Sequence, residues 1–155
     1  MVMSVKDDVV VRVAQRRDVP DMVALVREGS LTPEAYADTS LDPVYDAWDE
    51  LMLDPNAETL VLDLDGRVVG MAQLNYMRHL SRGGMRRCHI ENVFIASAFR
   101  SQGLGAILIE NCLDMARARG CGLVQLLSDS RRTDAHRFYQ RLGFQASHQG
   151  MKLYL

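Results

Sequence analysis

The sequence predicts an α/β (α+β) domain: a mixed central sheet flanked by helices, in the order β-α-α-β-β-β-α-β-α-β. Three observations carry this expectation. Short β-branched or alternating runs recur at 9–14, 58–65, 67–77, 88–95, 123–128 and 144–155. Helical periodicity fills 103–119 and 133–142, and Gly120 and Gly143 close those stretches. The path from strand 88–95 through the long helix to strand 123–128 has the form of a parallel crossover, which places a helix on a sheet face.

Each element has its own local reason. The run 9–14 is short and β-branched. Asp18-Val19-Pro20-Asp21 reads as a helix start, with Met22, Val23, Leu25 and Val26 following and Gly29 as the stop. Thr32-Pro33-Glu34 restarts a helical turn over 31–36, and 45–53 is a third helical piece before Pro55. Leu60, Leu62 and Leu64 share one face of a strand, and Asp65-Gly66 turns it into the next. The stretch 78–87 is polar, contains Gly83-Gly84 and reads as a loop. Leu104, Ile107, Leu108, Met115 and Ala116 form one stripe of the long helix, and Ala135, Phe138, Tyr139 and Leu142 one stripe of the last. The closing Lys152-Leu153-Tyr154-Leu155 completes a final strand.

The bulk numbers bound the function. At 155 residues, 48% apolar and 25% charged, the chain is expected to form one soluble globular domain over 1–155. A net charge of -2 without a polybasic run argues against a nucleic-acid partner. No apolar stretch approaches the roughly 18 residues of a membrane span. The N-terminal MVMSVKDDVVVRVA has a short apolar run and no small-residue cleavage site, so no signal peptide is expected. Three cysteines without a C-x-x-C fit free thiols in a reducing cytoplasm, with Cys112 a small core residue. No His pair has metal-ligand spacing, so no metal is expected.

The chemistry centres on 89–116, where an apolar strand meets a glycine-containing loop that opens a helix. Such a turn is an anion site, because free N–H groups and the positive end of the helix dipole converge there. A Walker loop is absent, and Gly103-Leu104-Gly105 lacks the third glycine of a dinucleotide fingerprint. Arg100-Ser101-Gln102-Gly103-Leu104-Gly105 instead resembles the [QR]-x-x-G-x-[GA] signature of the GNAT family of N-acetyltransferases. Ala135-His136-Arg137-Phe138-Tyr139-Gln140-Arg141-Leu142-Gly143-Phe144 resembles that family's second signature. The two stand in the family's order, with helix, strand and short helix between them.

The resemblance implies the GNAT fold and acetyl-CoA as co-substrate. The pyrophosphate would lie on Arg100, Ser101, Gln102, Gly103, Leu104, Gly105 and Ala106, whose glycines admit close approach. The pantetheine arm would run along Val93, Phe94 and Ile95, in a slot where strand 88–95 splays from 123–128. The activity implied is direct acetyl transfer to a primary amine of a small molecule in a ternary complex. A homodimer is also a family expectation, and the apolar C-terminal strand supplies an edge for it.

Tyr139 is the candidate acid: a phenol with pKa near 10 can protonate a thiolate whose thiol has a pKa of about 8.5. Its place on an apolar stripe also allows a core role. Glu91 is the candidate base. Alternation puts it on one face with Val93 and Ile95, with Asn92, Ile90 and Phe94 opposite, and partial burial would raise its pKa. It could instead pair with Arg86 or Arg87. A water oriented by Asn92, or one of His79, His89, His136 and His148, is the other route for the proton. Arg131 and Arg132 would meet cofactor phosphates or be solvated.

The acceptor is less defined. His89-Ile90-Glu91-Asn92, Gly120-Cys121, Gly150-Met151-Lys152-Leu153 and Gly29-Ser30-Leu31-Thr32 resemble the glucosamine-6-phosphate N-acetyltransferase subfamily, although Asn92 stands where that group usually has aspartate. Arg82, Arg86 and Arg87 would then grip the phosphate. A non-catalytic acetyl-CoA sensor and a protein amine as acceptor are the alternatives.

Overall fold

The computed structural model describes residues 5–36 and 40–155; positions 1–4 of the N-terminal stretch and 37–39 of the helical region lie outside the described residues. A short helix α1 (Val5–Asp8) precedes β1 (Val10–Val13). Helices α2 (Val19–Gly29) and α3 (Asp42–Leu53) follow, then the hairpin β2 (Ala57–Leu64) and β3 (Arg67–Arg78). A four-residue helix α4 (Ser81–Gly84) leads into β4 (Arg86–Ile95), and α5 (Leu104–Ala118), β5 (Cys121–Leu126) and α6 (Thr133–Arg141) complete the described elements.

The five strands lie in the order β1-β2-β3-β4-β5, antiparallel except for the parallel β4–β5 pair. The β4–α5–β5 crossover is therefore as the sequence predicts. Asp65 and Gly66 both have positive φ (52° and 83°), the conformation of a tight hairpin turn, and Asp63 accepts the Gly66 N–H at 2.7 Å. Two apolar layers cover the sheet. Leu60, Leu62, Leu74, Cys88 and Ile90 pack against Leu104, Leu108, Ile109 and Cys112 of α5. Val61, Val68 and Met71 pack on the other face against Val19, Met22, Leu25 and Trp48 of α2 and α3.

Asp18 is the buried charge of this second layer, and its side chain does not cap α2. Arg12 of β1 grips it with two nitrogens at 2.7 and 2.9 Å and reaches Asp63 at 2.8 Å, while the Gln15 N–H donates to it at 2.7 Å. These bonds hold the Asp18 carboxyl below its ordinary pKa. All three cysteines are free, and Cys112 is a core residue.

Several boundaries differ from expectation. Helix α3 starts at Asp42, with Pro43 in its first turn; 33–36 is a 3-10 turn; and the polar stretch 78–87 is divided among the end of β3, α4 and the start of β4. The largest correction concerns 144–155, which forms no strand. An alternating pattern makes a strand only where a ladder partner exists, and here Met151, Leu153, Tyr154 and Leu155 stand exposed.

Candidate active site

The site begins with one residue out of phase. In β3–β4, Leu74 faces Ile90 and Gln73 faces Glu91, but Met71 faces Phe94. Ala72 is thus opposed by both Asn92 and Val93, a β-bulge, and Asn92 takes φ 51°. Asparagine tolerates this left-handed conformation better than most residues.

The extra residue reverses the strand's faces. Cys88 and Ile90 point to the α5 layer before the bulge; Val93 and Ile95 point there after it, and Phe94 joins the α2–α3 layer. Glu91 therefore does not share a face with Val93 and Ile95, as strict alternation predicts. Its side chain is 50% exposed.

The bulge also parts the strands. The β4–β5 ladder runs from Arg86↔Cys121 to Ile90↔Leu126 and ends there. Beyond it, Val93, Phe94 and Ile95 keep β3 on one side and have no strand on the other among the described residues, which is the expected splay. Gly29 sits so close to Phe94 that a Cβ there would fall 2.3 Å from Cδ1. The Phe94 ring is thus committed to packing, and only its backbone is left for a ligand. Glu28 fastens the same corner, accepting from Ser97 N–H at 2.9 Å and Ser97 Oγ at 2.5 Å.

The turn after β4 is braced by its own side chains. Arg100 Nε donates to the Ile95 carbonyl at 3.0 Å, and Gln102 Nε2 to the Ala98 carbonyl at 2.9 Å. Ser101 (φ 60°) and Gly103 (φ 82°) bend the chain into α5, where Leu104 is buried and the N–H groups of Gly105 and Ala106 lie in the first turn. The two glycines differ in role. A Cβ on Gly103 would meet only the flexible end of Lys6, whereas one on Gly105 would sit 3.2 Å from Phe138 Cζ. Gly105 therefore sets how closely α6 approaches α5.

That approach positions Tyr139. Its ring stacks edge-on with Phe138 (5.1 Å) and Phe144 (5.7 Å). Burial pushes the phenol up to about 12; the charge of Arg132 opposes this and Cys112 adds to it. Apolar packing thus surrounds the ring, while the hydroxyl, which makes no hydrogen bond among the described residues, is not sealed from solvent.

Glu91 pairs with His89, not with Arg86 or Arg87. His89 Nε2 lies 3.3 Å from Glu91 Oε1, and His89 Nδ1 lies 3.3 Å from Gln125 Nε2. Arg87 stands five residues before Asn92, roughly 16 Å along a strand, and donates to Ser81 Oγ at 3.1 Å. Arg86 donates to Asn56 Oδ1 and to the Arg119 carbonyl. These guanidiniums therefore belong to the far end of β4. Arg131 pairs with Asp129, and Arg132 donates to the Gly29 carbonyl at 2.5 Å, so both are engaged within the fold. His136 Nε2 contacts the Asp129 carbonyl and His148 pairs with Ser147; His79 Nε2 is buried without a partner. Among the described residues, no three of His, Cys, Asp or Glu gather as a metal group.

Sequence reasoning missed a polar row. Asn92 Nδ2 donates to Gln73 Oε1 and Gln73 Nε2 to Asn75 Oδ1, each at 3.2 Å, and Asn75 faces His89 across the ladder. The signal was present: Gln73 and Asn75, and His89 and Glu91, are polar residues alternating with the buried Ala72, Leu74, Tyr76, Cys88 and Ile90.

Residues 25–144 match the model of the Acetyltransferase (GNAT) family. A glucosamine 6-phosphate N-acetyltransferase from Trypanosoma brucei brucei is 38% identical over 88 residues, 57% of this chain and 58% of that protein. An aminoalkylphosphonate N-acetyltransferase from Salmonella typhimurium is 34% identical over 97 residues, 63% of this chain and 62% of that protein. These matches span about three fifths of the length of each curated relative. The crystal structure of a transcriptional regulator from Bacillus halodurans C-125 superposes with a TM-score of 0.90 at 37% identity, covering 95% of this chain and 99% of that one.

Proposed function

Since the chain belongs to the GNAT family of acetyltransferases, we propose that it moves the acetyl group of acetyl-CoA directly to a primary amine of a small molecule, in a ternary complex. The observation that carries this reading is the parting of β4 from β5 beside the N-terminus of α5. An unpaired strand edge offers N–H and C=O groups to an amide-containing arm, and the helix start offers N–H donors to a pyrophosphate. Val93, Phe94 and Ile95 would hold the arm through their backbone, and Ser101 to Ala106 the pyrophosphate.

Glu91 takes the proton that the attacking nitrogen loses, with His89 steadying it. With Gln125 Nε2–H donating to Nδ1, His89 Nε2 would carry the ring hydrogen and donate it to Glu91. As the N–C bond forms and the C–S bond breaks, Tyr139 donates its hydrogen to the departing thiolate. Backbone N–H groups of the parted strand stabilise the oxyanion between these events. A phenol pushed up to about 12 stays protonated at neutral pH and so remains available as the acid.

Coenzyme A release over a panel of hexosamine phosphates, aminoalkylphosphonates, polyamines, amino acids and arylalkylamines tests the reading, with Tyr139→Phe as control. Turnover of at least one amine, lowered in the variant, supports it. Binding of acetyl-CoA without turnover of any amine would favour a second reading, a non-catalytic acetyl-CoA sensor. The likeness to a protein described as a transcriptional regulator supports that alternative.

The working unit in this proposal is a cytoplasmic homodimer. Free thiols suit a reducing compartment. β5 is an edge strand, and the exposed Met151, Leu153, Tyr154 and Leu155 would be covered by a second copy. Light scattering with and without residues 151–155 checks the dimer.

A further inference from the structure

A cavity of about 220 Å³ lies between α2, α3 and the sheet, and no step above uses it. Val23, Val26, Trp48 and Met71 are among its apolar walls. Its polar groups are uncharged, and the amides of Gln73 and Asn92 are two of them. Among the described residues, no acid, base or histidine lines it. It reaches the bulge itself, because Asn92 is next in the chain to Glu91 and to the unpaired stretch of β4. Asn92 gives an amide hydrogen to Gln73 Oε1, which leaves its own Oδ1 to accept an N–H from outside.

We infer that this cavity holds the side group of the acceptor, and that the acceptor is a primary amine on an uncharged apolar body, an arylalkylamine. Size and charge both point this way. An apolar cavity of about 150 Å³ admits benzene, so one of about 220 Å³ takes an aromatic ring with a short methylene arm. A phosphate or phosphonate there would give up hydration to a wall without a cation. Of the arginines that could offset this, Arg86 and Arg87 are engaged at the far end of β4, and Arg82 stands in α4, where Arg87 contacts Ser81. The acceptor class would thus differ from the phosphorylated and phosphonate acceptors in the relatives' names. The inference rests on the acetyl-transfer reading and narrows it.

The experiment compares kcat/KM for 2-phenylethylamine, methylamine, glucosamine 6-phosphate and 2-aminoethylphosphonate at saturating acetyl-CoA. The ring-bearing amine should lead each of the others by at least about tenfold, the discrimination an apolar pocket gives for a group of this size. Ala47→Phe, at an exposed position of the lining, and Val23→Phe, on α2, each fill the space. Each should cut the preference for 2-phenylethylamine over methylamine by about tenfold or more, with acetyl-CoA titration confirming that the variant is folded. A lead for either phosphorus-containing amine, or a preference unmoved by both substitutions, overturns the assignment. If neither variant folds, the wild-type ranking decides alone. If acetyl-CoA binds and no amine reacts, the transfer reading fails separately. Calorimetric titration of 2-phenylethylamine into the acetyl-CoA complex then settles the cavity: saturable binding upholds it and no heat overturns it.

Discussion

Gln125 of β5 faces His89 of β4 one rung before the ladder ends, and its amide nitrogen lies 3.3 Å from the His89 Nδ1. With the amide nitrogen donating to Nδ1, the tautomer that the proposed mechanism uses turns Nε2–H towards Glu91. In Gln125→Glu the new carboxylate accepts from Nδ1–H, so a neutral ring turns a lone pair towards the Glu91 carboxylate, and a donor returns at Nε2 only if the ring takes up a second proton. Losing a hydrogen bond worth about 1 to 1.5 kcal/mol corresponds to roughly tenfold in rate. We expect kcat/KM for the amine to fall by about that factor with acetyl-CoA affinity unchanged. Nitrogen-15 chemical shifts of His89 should show the tautomer change; an unchanged tautomer would remove Gln125 from the relay.

Asn92 is held at φ 51° by the bulge, and the parting of β4 from β5 follows directly after it. Glycine accepts this backbone freely, so Asn92→Gly should keep the bulge and lose the side-chain amide, with its contact to Gln73 and its free Oδ1. Valine is β-branched and costs at least about 1 to 2 kcal/mol in this region. For a domain of this size that lowers Tm by roughly 3 to 6 °C. Calorimetry should rank wild type and Asn92→Gly above Asn92→Val, and acetyl-CoA binding should weaken most in the valine variant.

Physical range explains what was legible in the sequence. The turn at Gly103 and the hairpin at Asp65-Gly66 are local, because glycine is the residue that accepts those φ values. The crossover from β4 to β5 was equally visible, since its helix is long and periodic. The bulge was not: Glu91-Asn92-Val93-Phe94 continues a period of two, and only the β3 register reveals that one residue is extra. The partner of Glu91 was missed for a related reason. His89 reaches it along the strand while Gln125 orients His89 from another strand, a relation between segments that no single stretch encodes. The last strand failed in the opposite direction, because its pattern was present and its ladder partner was absent.

Buried thiols give the fold an alkaline limit. Burial pushes Cys88 and Cys112 from their ordinary 9.0 up to about 12. In the unfolded chain they ionise near 9, so their neutral forms favour the folded state. That stability is fully present below pH 9 and is lost as pH rises from about 9 through 12. Each thiol adds a slope of about 1.4 kcal/mol per pH unit within that window. Urea unfolding between pH 8 and pH 11 should show the combined decline. Cys112→Ala should reduce its slope by one thiol's share, even though the cavity it leaves lowers stability at every pH. An equal slope in the variant would mean that the Cys112 thiol is already ionised in the fold.

Gly105 separates two accounts of the same glycine. If its role is close approach of phosphate to backbone, Gly105→Ala weakens acetyl-CoA binding. The geometry favours the other account, because the new Cβ would lie 3.2 Å from Phe138 Cζ, and Phe138 is the ring against which Tyr139 packs. A shift of α6 by a few tenths of an ångström relieves that contact and would displace the phenol from the thiolate it is proposed to protonate. Misplacement by about 1 Å costs on the order of a hundredfold, so this smaller shift should lower kcat several-fold. Stability should hold nearly level, since alanine gains about 0.5 to 1 kcal/mol over glycine within a helix. The second substitution Phe138→Leu makes room for the methyl group and should recover part of the lost kcat in the double variant. A fall in acetyl-CoA affinity with kcat unchanged, and no recovery in the double variant, would return Gly105 to the phosphate turn.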